Sequence, residues 1–165
     1  MEKVAAGLLM YRHDQDRLEF FLVHPGGPYF RKKDAGHWTI PKGAPEGDEP
    51  LLETAQREFL EETGIRPLGP FCDLGTVRQK GGKLVYAWAF SGNWDPDTGI
   101  RCNSFTIEWP PASGRKAEFP EVDKAAWYPL DTAMEMIIPA QRPFLERATD
   151  LLSGPGKQKN HPPSD

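Results

Sequence analysis

Apolar and polar positions change their spacing several times along this chain. KVAAGLLMYR (3–12) and LEFFLVHP (18–25) are dense in apolar residues, and the polar stretch HDQD lies between them. Two apolar runs joined by a short polar turn predict a pair of strands. GGPYFRKKDAGH (26–37) then breaks the pattern with glycines and with Arg31, Lys32 and Lys33, and predicts a basic loop. Those three cations read as a solvated loop, one that meets phosphates if it folds over a site. HWTIPKG (37–43) predicts a short strand that stops at Pro41.

From residue 50 the spacing becomes helical. At about 100° per residue, Leu52, Ala55 and Phe59 fall on one stripe, a core-facing one. Pro50 suits the first turn, with Asp48 or Glu49 as the cap, and Gly64 suits the end. Beyond it, FCDLGTVRQ (71–79) and KLVYAWAF (83–90) flank Gly81-Gly82, which predicts a hairpin. SGNWDPDTG (91–99) is turn-rich, CNSFTIEW (102–109) predicts a strand, and PPASGRKAEFPEVD (110–123) a long loop. AAWYPL (125–130) reads as a last short strand and LDTAMEMI (130–137) as a short helix. AQRPFLERATDLL (140–152) predicts a closing helix with Pro143 in its first turn. The tail from 153 to 165, SGPGKQKNHPPSD, has nothing apolar to bury and is expected to be disordered. With no repeat and no linker, residues 1–152 read as one domain.

Composition narrows the function classes. A length of 165 residues supports a real core, and 16 glycines with 17 prolines predict many loops. A net charge of −4 argues against gripping nucleic acid through a broad basic face. No apolar run approaches the roughly 20 residues of a membrane span, and the N-terminus reads as a strand rather than a signal peptide. Cys72 and Cys102 make neither a disulfide framework nor a zinc knuckle, which fits a reducing, cytoplasmic setting. His13, His24, His37 and His161 lack metal-ligand spacing and read as structural or exposed.

The chemistry concentrates in GAPEGDEPLLETAQREFLEETGI (43–65), where carboxylates crowd around Arg57. Glu58, Glu61 and Glu62, spaced i, i+3, i+4, share an arc roughly 100° wide beside the buried stripe. Arg57 lies four residues before Glu61 and four after Glu53, placed to pair with either. Like charges so placed repel unless something offsets them. A solvated acidic helix is one reading. The other is a site for a hard divalent cation, Mg2+ or Mn2+, which prefers oxygen ligands.

The spacing runs Gly43, five residues, Glu49, seven residues, then Arg57-Glu58-Phe59-Leu60-Glu61-Glu62-Thr63-Gly64-Ile65. It resembles the Nudix box at all nine specified positions. At average residue usage, chance would produce this match on the order of once in ten million such chains. The resemblance, extended over residues 3 to 152, implies an α/β fold, a Nudix-type α/β/α sandwich around a mixed β-sheet. It implies a hydrolase acting on a small-molecule, nucleotide-type diphosphate. By the same resemblance Glu58 and Glu62 are the principal metal ligands, and Glu61 a further ligand or the group orienting the attacking water. Arg57 positions a glutamate, and the backbone near Lys42–Gly43 completes the metal site.

W-T-I-P-K-G before the box resembles members that hydrolyse dinucleoside polyphosphates. That implies a phosphate-binding Lys42 and a substrate-side Trp38, although a buried strand residue is the plainer reading of Trp38. A late loop supplies a further acid in such enzymes. Glu121, six residues before Trp127, has the matching spacing, with Glu118 and Asp123 beside it. Departures leave the substrate open: the tyrosine and the proline that mark two substrate classes past the box are both missing, and QKGGK (79–83) stands there instead. Nucleoside triphosphates and nucleotide sugars are the alternative substrates. A nucleotide-sensing module that does not cut is the rival from another class, and the complete set of box glutamates weighs against it. Oligomeric state is not legible.

Overall fold

The central strand is β1 (Val4–Asp14), whose residues from Ala5 to Met10 are all buried. A strand apolar on both sides requires cover on both faces. Successive side chains alternate: Ala5 and Leu9 join one core cluster, while Ala6, Leu8 and Met10 join another. The second strand, β2 (Arg17–Pro25), repeats the split, with Phe20 and Leu22 on the first side and Phe21 and Val23 on the second. Two adjacent strands with this period of two give the sheet two buried faces, and so the fold its two helical layers.

The computed structural model describes residues 3–153. The tail expected to be disordered therefore lies outside the described residues, except for Ser153, which ends a helix. The sheet runs in the order β4 (Cys72–Arg78), β5 (Leu84–Ser91), β1, β2, β8 (Val122–Pro129), and a two-residue strand β3 (Lys42–Gly43) also pairs with β1. β1 and β5 are parallel, and the other pairs are antiparallel. Helix α1 (Leu51–Thr63) covers one face through Ala55 and Phe59. The opposite face is covered by α2 (Leu130–Met136) and α3 (Arg142–Ser153), through Ala133, Phe144, Leu145 and Ala148. This is the expected sandwich around a mixed sheet.

Two elements differ from the sequence reading. Segment 110–123 is not one long loop. It contains β7 (Lys116–Pro120), which pairs with β6 (Ser104–Glu108) as a separate two-stranded ribbon, and its last residues begin β8. The other is the segment from Trp38 to Gly43, which does not stop at Pro41. Thr39 exchanges backbone hydrogen bonds with Val23 on β2, Pro41 O accepts from Leu8 N, and Lys42 and Gly43 pair with Gly7 and Ala6. Proline lacks an N–H but keeps its carbonyl, so pairing passes through it. β2 pairs with β1 only over Tyr11–Asp14, and the segment from Trp38 to Gly43 fills the space beside the first half of β1 as a wedge. A Cβ at Gly7 would strike Lys42 Cβ at 2.7 Å, so glycine there lets the wedge seat.

Among the described residues no helix is long and apolar enough to cross a membrane.

Phe59 is fully buried and meets Phe21 and Phe90 at ring-centroid distances of 5.8 and 5.2 Å. Phe59→Ala should therefore lower unfolding free energy by about 3–5 kcal/mol, read by urea denaturation with an unchanged slope. A loss below about 1 kcal/mol would contradict this seating of α1.

Candidate active site

Gly43 faces α1 with no room for a methyl group, because a Cβ there would fall on the Glu58 carboxylate. The glycine is required by close approach, since its φ is not in the left-handed region. The wedge and the helix thus meet at the carboxylate arc.

Arg57 organises that arc. Its Nε and Nη2 donate to the two oxygens of Glu49, each at 2.9 Å, and Nη2 also donates to Ala44 O at 3.0 Å. Nη1 donates to Glu58 at 3.0 Å and to Glu61 at 3.2 Å. The i, i+4 partner is thus Glu61, and no ion pair with Glu53 forms. Glu49 does not cap the helix as expected. Pro50 occupies the cap position without a side-chain hydrogen bond, and Glu49 is taken up by Arg57 and by the Thr54 hydroxyl at 2.8 Å. The Arg57 hydrogen bonds hold Glu49 down at about 2, aided by Thr54 and the Glu46 N–H and opposed by burial. The helix ends as predicted, with Gly64 left-handed at φ 79° and donating to Leu60 O.

Glu58 and Glu62 are in the reverse condition. Burial raises both carboxyls, and Glu121 adds charge repulsion to each. For Glu62 the result is about 8, even though Lys42 opposes the shift. Burial in turn lowers Lys42, joined by the charge of Lys83. Lys42, Glu62 and Glu121 line one cavity of about 280 Å³, together with Thr39, Ile40, Val23 and the rings of Phe30 and Phe105.

The structure separates the other expected residues. Glu118 lies on β7 and accepts a hydrogen bond from the Ser104 hydroxyl on the adjacent strand. Asp123 meets Nδ1 of the buried His24 at 2.7 Å. Of the three late acids, the cavity is lined by Glu121 alone. Trp38 is 3 % exposed and sits in the core cluster beneath α2 and α3. Its indole donates to Asp34 at 2.7 Å, and it borders a different cleft with Trp94, Lys124 and Tyr128. The chain bends at Pro41; Trp38 lies in the core cluster, whereas Lys42 lines the cavity. Phe30 and Phe105 were missed. The alternation of Phe105 and Ile107 in CNSFTIEW marks a common face, but not the cavity it reaches.

Oxygen donors with raised carboxyl affinities for protons suit a hard divalent cation, whose charge would offset the repulsion. Among the described residues no three His, Cys, Asp or Glu side chains already converge as a metal cage. Two of the acids, Glu58 and Glu61, are instead hydrogen-bonded to Arg57.

Because Glu62 titrates in the fold at about 8 instead of 4.5, ionising it opposes folding as pH rises between those values. Glu62→Gln, neutral throughout, should melt higher than the parent in chelator-containing buffer at pH 8 and no higher at pH 4. Calorimetry showing no difference at pH 8 would refute the buried-carboxyl assignment.

The NUDIX domain family matches residues 1–148 of this chain. Similar proteins include an RNA pyrophosphohydrolase of Mesorhizobium japonicum, 28% identical over 131 residues, covering 70% of each chain. Among solved structures, a C. elegans Ap4A hydrolase superposes with a TM-score of 0.64 at 23% identity, covering 92% of this chain and 98% of that one. The NUDIX domain of Shewanella oneidensis NrtR, complexed with ADP ribose, also gives 0.64, at 18% identity over 93% of this chain and 90% of that one.

Proposed function

This chain belongs to the NUDIX domain family, and from that premise we propose that it is a divalent-metal-dependent pyrophosphohydrolase of a nucleotide-type diphosphate. A dinucleoside polyphosphate such as diadenosine tetraphosphate is the leading substrate. The observation carrying this reading is the cavity in which Lys42, Glu62 and Glu121 converge beside Glu58. The Ap4A hydrolase and RNA pyrophosphohydrolase relatives add support.

Glu58 and Glu62 would hold the metal, Mg2+ or Mn2+, with the backbone near Gly43. When bound, it neutralises charge on the diphosphate and makes water a better nucleophile. Lys42 meets a phosphate oxygen as a compact charge. Arg57 fixes the direction of Glu58 and Glu61, so the helix presents its acids without searching rotamers. Glu61, one hydrogen bond away from Arg57, orients the attacking water. Glu121 is exposed at the cavity and takes the proton as base. Phe30 and Phe105 offer faces against which a base can lie.

A panel of diadenosine tetraphosphate, a nucleoside triphosphate, a nucleotide sugar and a 5′-triphosphorylated oligonucleotide, incubated with magnesium and read by product mass, tests the reading. Tight binding of one compound with turnover of none would favour a sensing module. Glu58→Gln and Glu62→Gln should each lower turnover by orders of magnitude, and Glu53→Gln should have little effect. Glu121→Gln should depress turnover with little change in melting temperature, whereas Glu118→Gln should not. A reversed order between those last two variants would move the base onto the ribbon.

A further inference from the structure

Outside the carboxylate cavity, the basic loop and the ribbon form a second recess, of about 380 Å³. It is lined by Pro28, Tyr29, Arg31, Lys32, Lys33 and Trp109. Tyr29 is 58% exposed, unusual for a large ring, and its centroid lies 5.4 Å from that of Trp109, edge to face. Arg31, Lys32 and Lys33 form no ion pair with any described carboxylate. In a chain of net charge −4, three consecutive cations thus stand beside two rings.

The recess and the carboxylate cavity share no lining residue but are built from the same loop and the same ribbon. Phe30, which lines that cavity, is the chain neighbour of both Tyr29 and Arg31. Phe105, on the cavity's other side, lies four residues before Trp109. An even spacing along a ribbon strand puts both on one face, about 13 Å apart at the usual rise per residue. Chain pairing extends to Trp109, whose N–H donates to Arg115 O. The two aromatic pairs therefore follow one another outward from Glu62 and Lys42.

Both walls are held in place. Gly26 N donates to Glu121 O at 2.9 Å. Gly27, at φ +98°, lies so close to Phe105 that a Cβ would meet the ring at 2.8 Å. At the far end of the loop, the buried His24 contacts Lys33 O through Nε2 at 2.6 Å. The Trp38 indole fastens Asp34 one residue on. A loop pinned at both ends presents its cations and Tyr29 with little ordering left to do on binding.

Lys33 Nζ lies 5.8 Å from the Phe30 ring centroid. Rings that accept stacking beside cations without carboxylate partners are the pattern that suits a nucleotide, whose base stacks and whose phosphates are anionic. Resting on the hydrolase reading, we infer that this recess takes a second nucleotide of an extended substrate, while the first lies against Phe30 and Phe105. Two sources share that chemistry: the far nucleoside of a dinucleoside polyphosphate, and the next nucleotide of a 5′-triphosphorylated strand.

The test compares full-length protein and Tyr29→Ala on diadenosine tetraphosphate, a 5′-triphosphorylated dinucleotide and ATP. Tyr29 is exposed, so its loss should not unfold the chain. KM for at least one extended probe should rise roughly tenfold more than KM for ATP, with kcat little altered. Arg31→Gln combined with Lys32→Gln should weaken the same probe and flatten its salt dependence. A loss confined to diadenosine tetraphosphate identifies the far nucleoside, and one confined to the dinucleotide identifies a strand end. Equal effects on ATP and both extended probes, or none on any, would overturn the inference. If the parent cleaves no probe, the hydrolase reading fails by itself. Calorimetric affinities then decide the recess: weakening specific to an extended probe supports it, and unchanged binding overturns it.

Discussion

One guanidinium sets the arrangement on which the site depends. Arg57 bonds the loop carboxylate Glu49, the loop carbonyl Ala44 and the helix carboxylates Glu58 and Glu61. An alkyl chain ending in a single ammonium could not reach these partners in a fixed fork, because the geometry requires planar donors. The loop before α1 is thereby fastened to the helix that follows it. Glu62 and Glu121, which Arg57 does not bond, line the cavity with Lys42. The charge crowding visible in the sequence is thus divided in two. Part is neutralised internally by arginine, and part is left for whatever binds.

The end of α1 at Gly64, its buried stripe and the family-defining spacing were all legible, because each depends on residues close in the chain. The sandwich followed from the apolar runs in β1 and β2. What was not legible depended on long-range placement. KAEFP alternates over only five residues between a glycine-containing turn and Pro120, too short to outweigh the loop composition around it. Trp38 and Lys42 were grouped because they are neighbours in sequence, yet one lies in the core and the other lines the cavity. Glu49 reads as a helix cap on local rules. A bidentate arginine eight residues on is a stronger partner than one backbone N–H.

Glu121 was chosen over its neighbours by spacing alone, and of the three acids it is the one that lines the cavity. Its neighbours on the late segment are already engaged, Glu118 by Ser104 and Asp123 by His24. Glu121 is fixed through its backbone instead, accepting from Gly26 and donating to Asn103 O. Its peptide is anchored at both ends while the carboxylate stays uncommitted.

The parallel pairing of β1 with β5 also bears on how the protein is made. It joins residues about eighty positions apart, Val4 opposite Leu84 through Tyr11 opposite Ser91. Closing so large a loop gains nothing until the strands meet, which is why non-local pairings slow folding. Helix α1 lies between them in the chain and seats Phe59 against Phe90 of β5. On a ribosome, the acidic helix therefore emerges before the strand that completes its seat. Until residue 91 has been synthesised, the carboxylates have no finished floor beneath them, and the chemistry-bearing helix waits on a strand made after it.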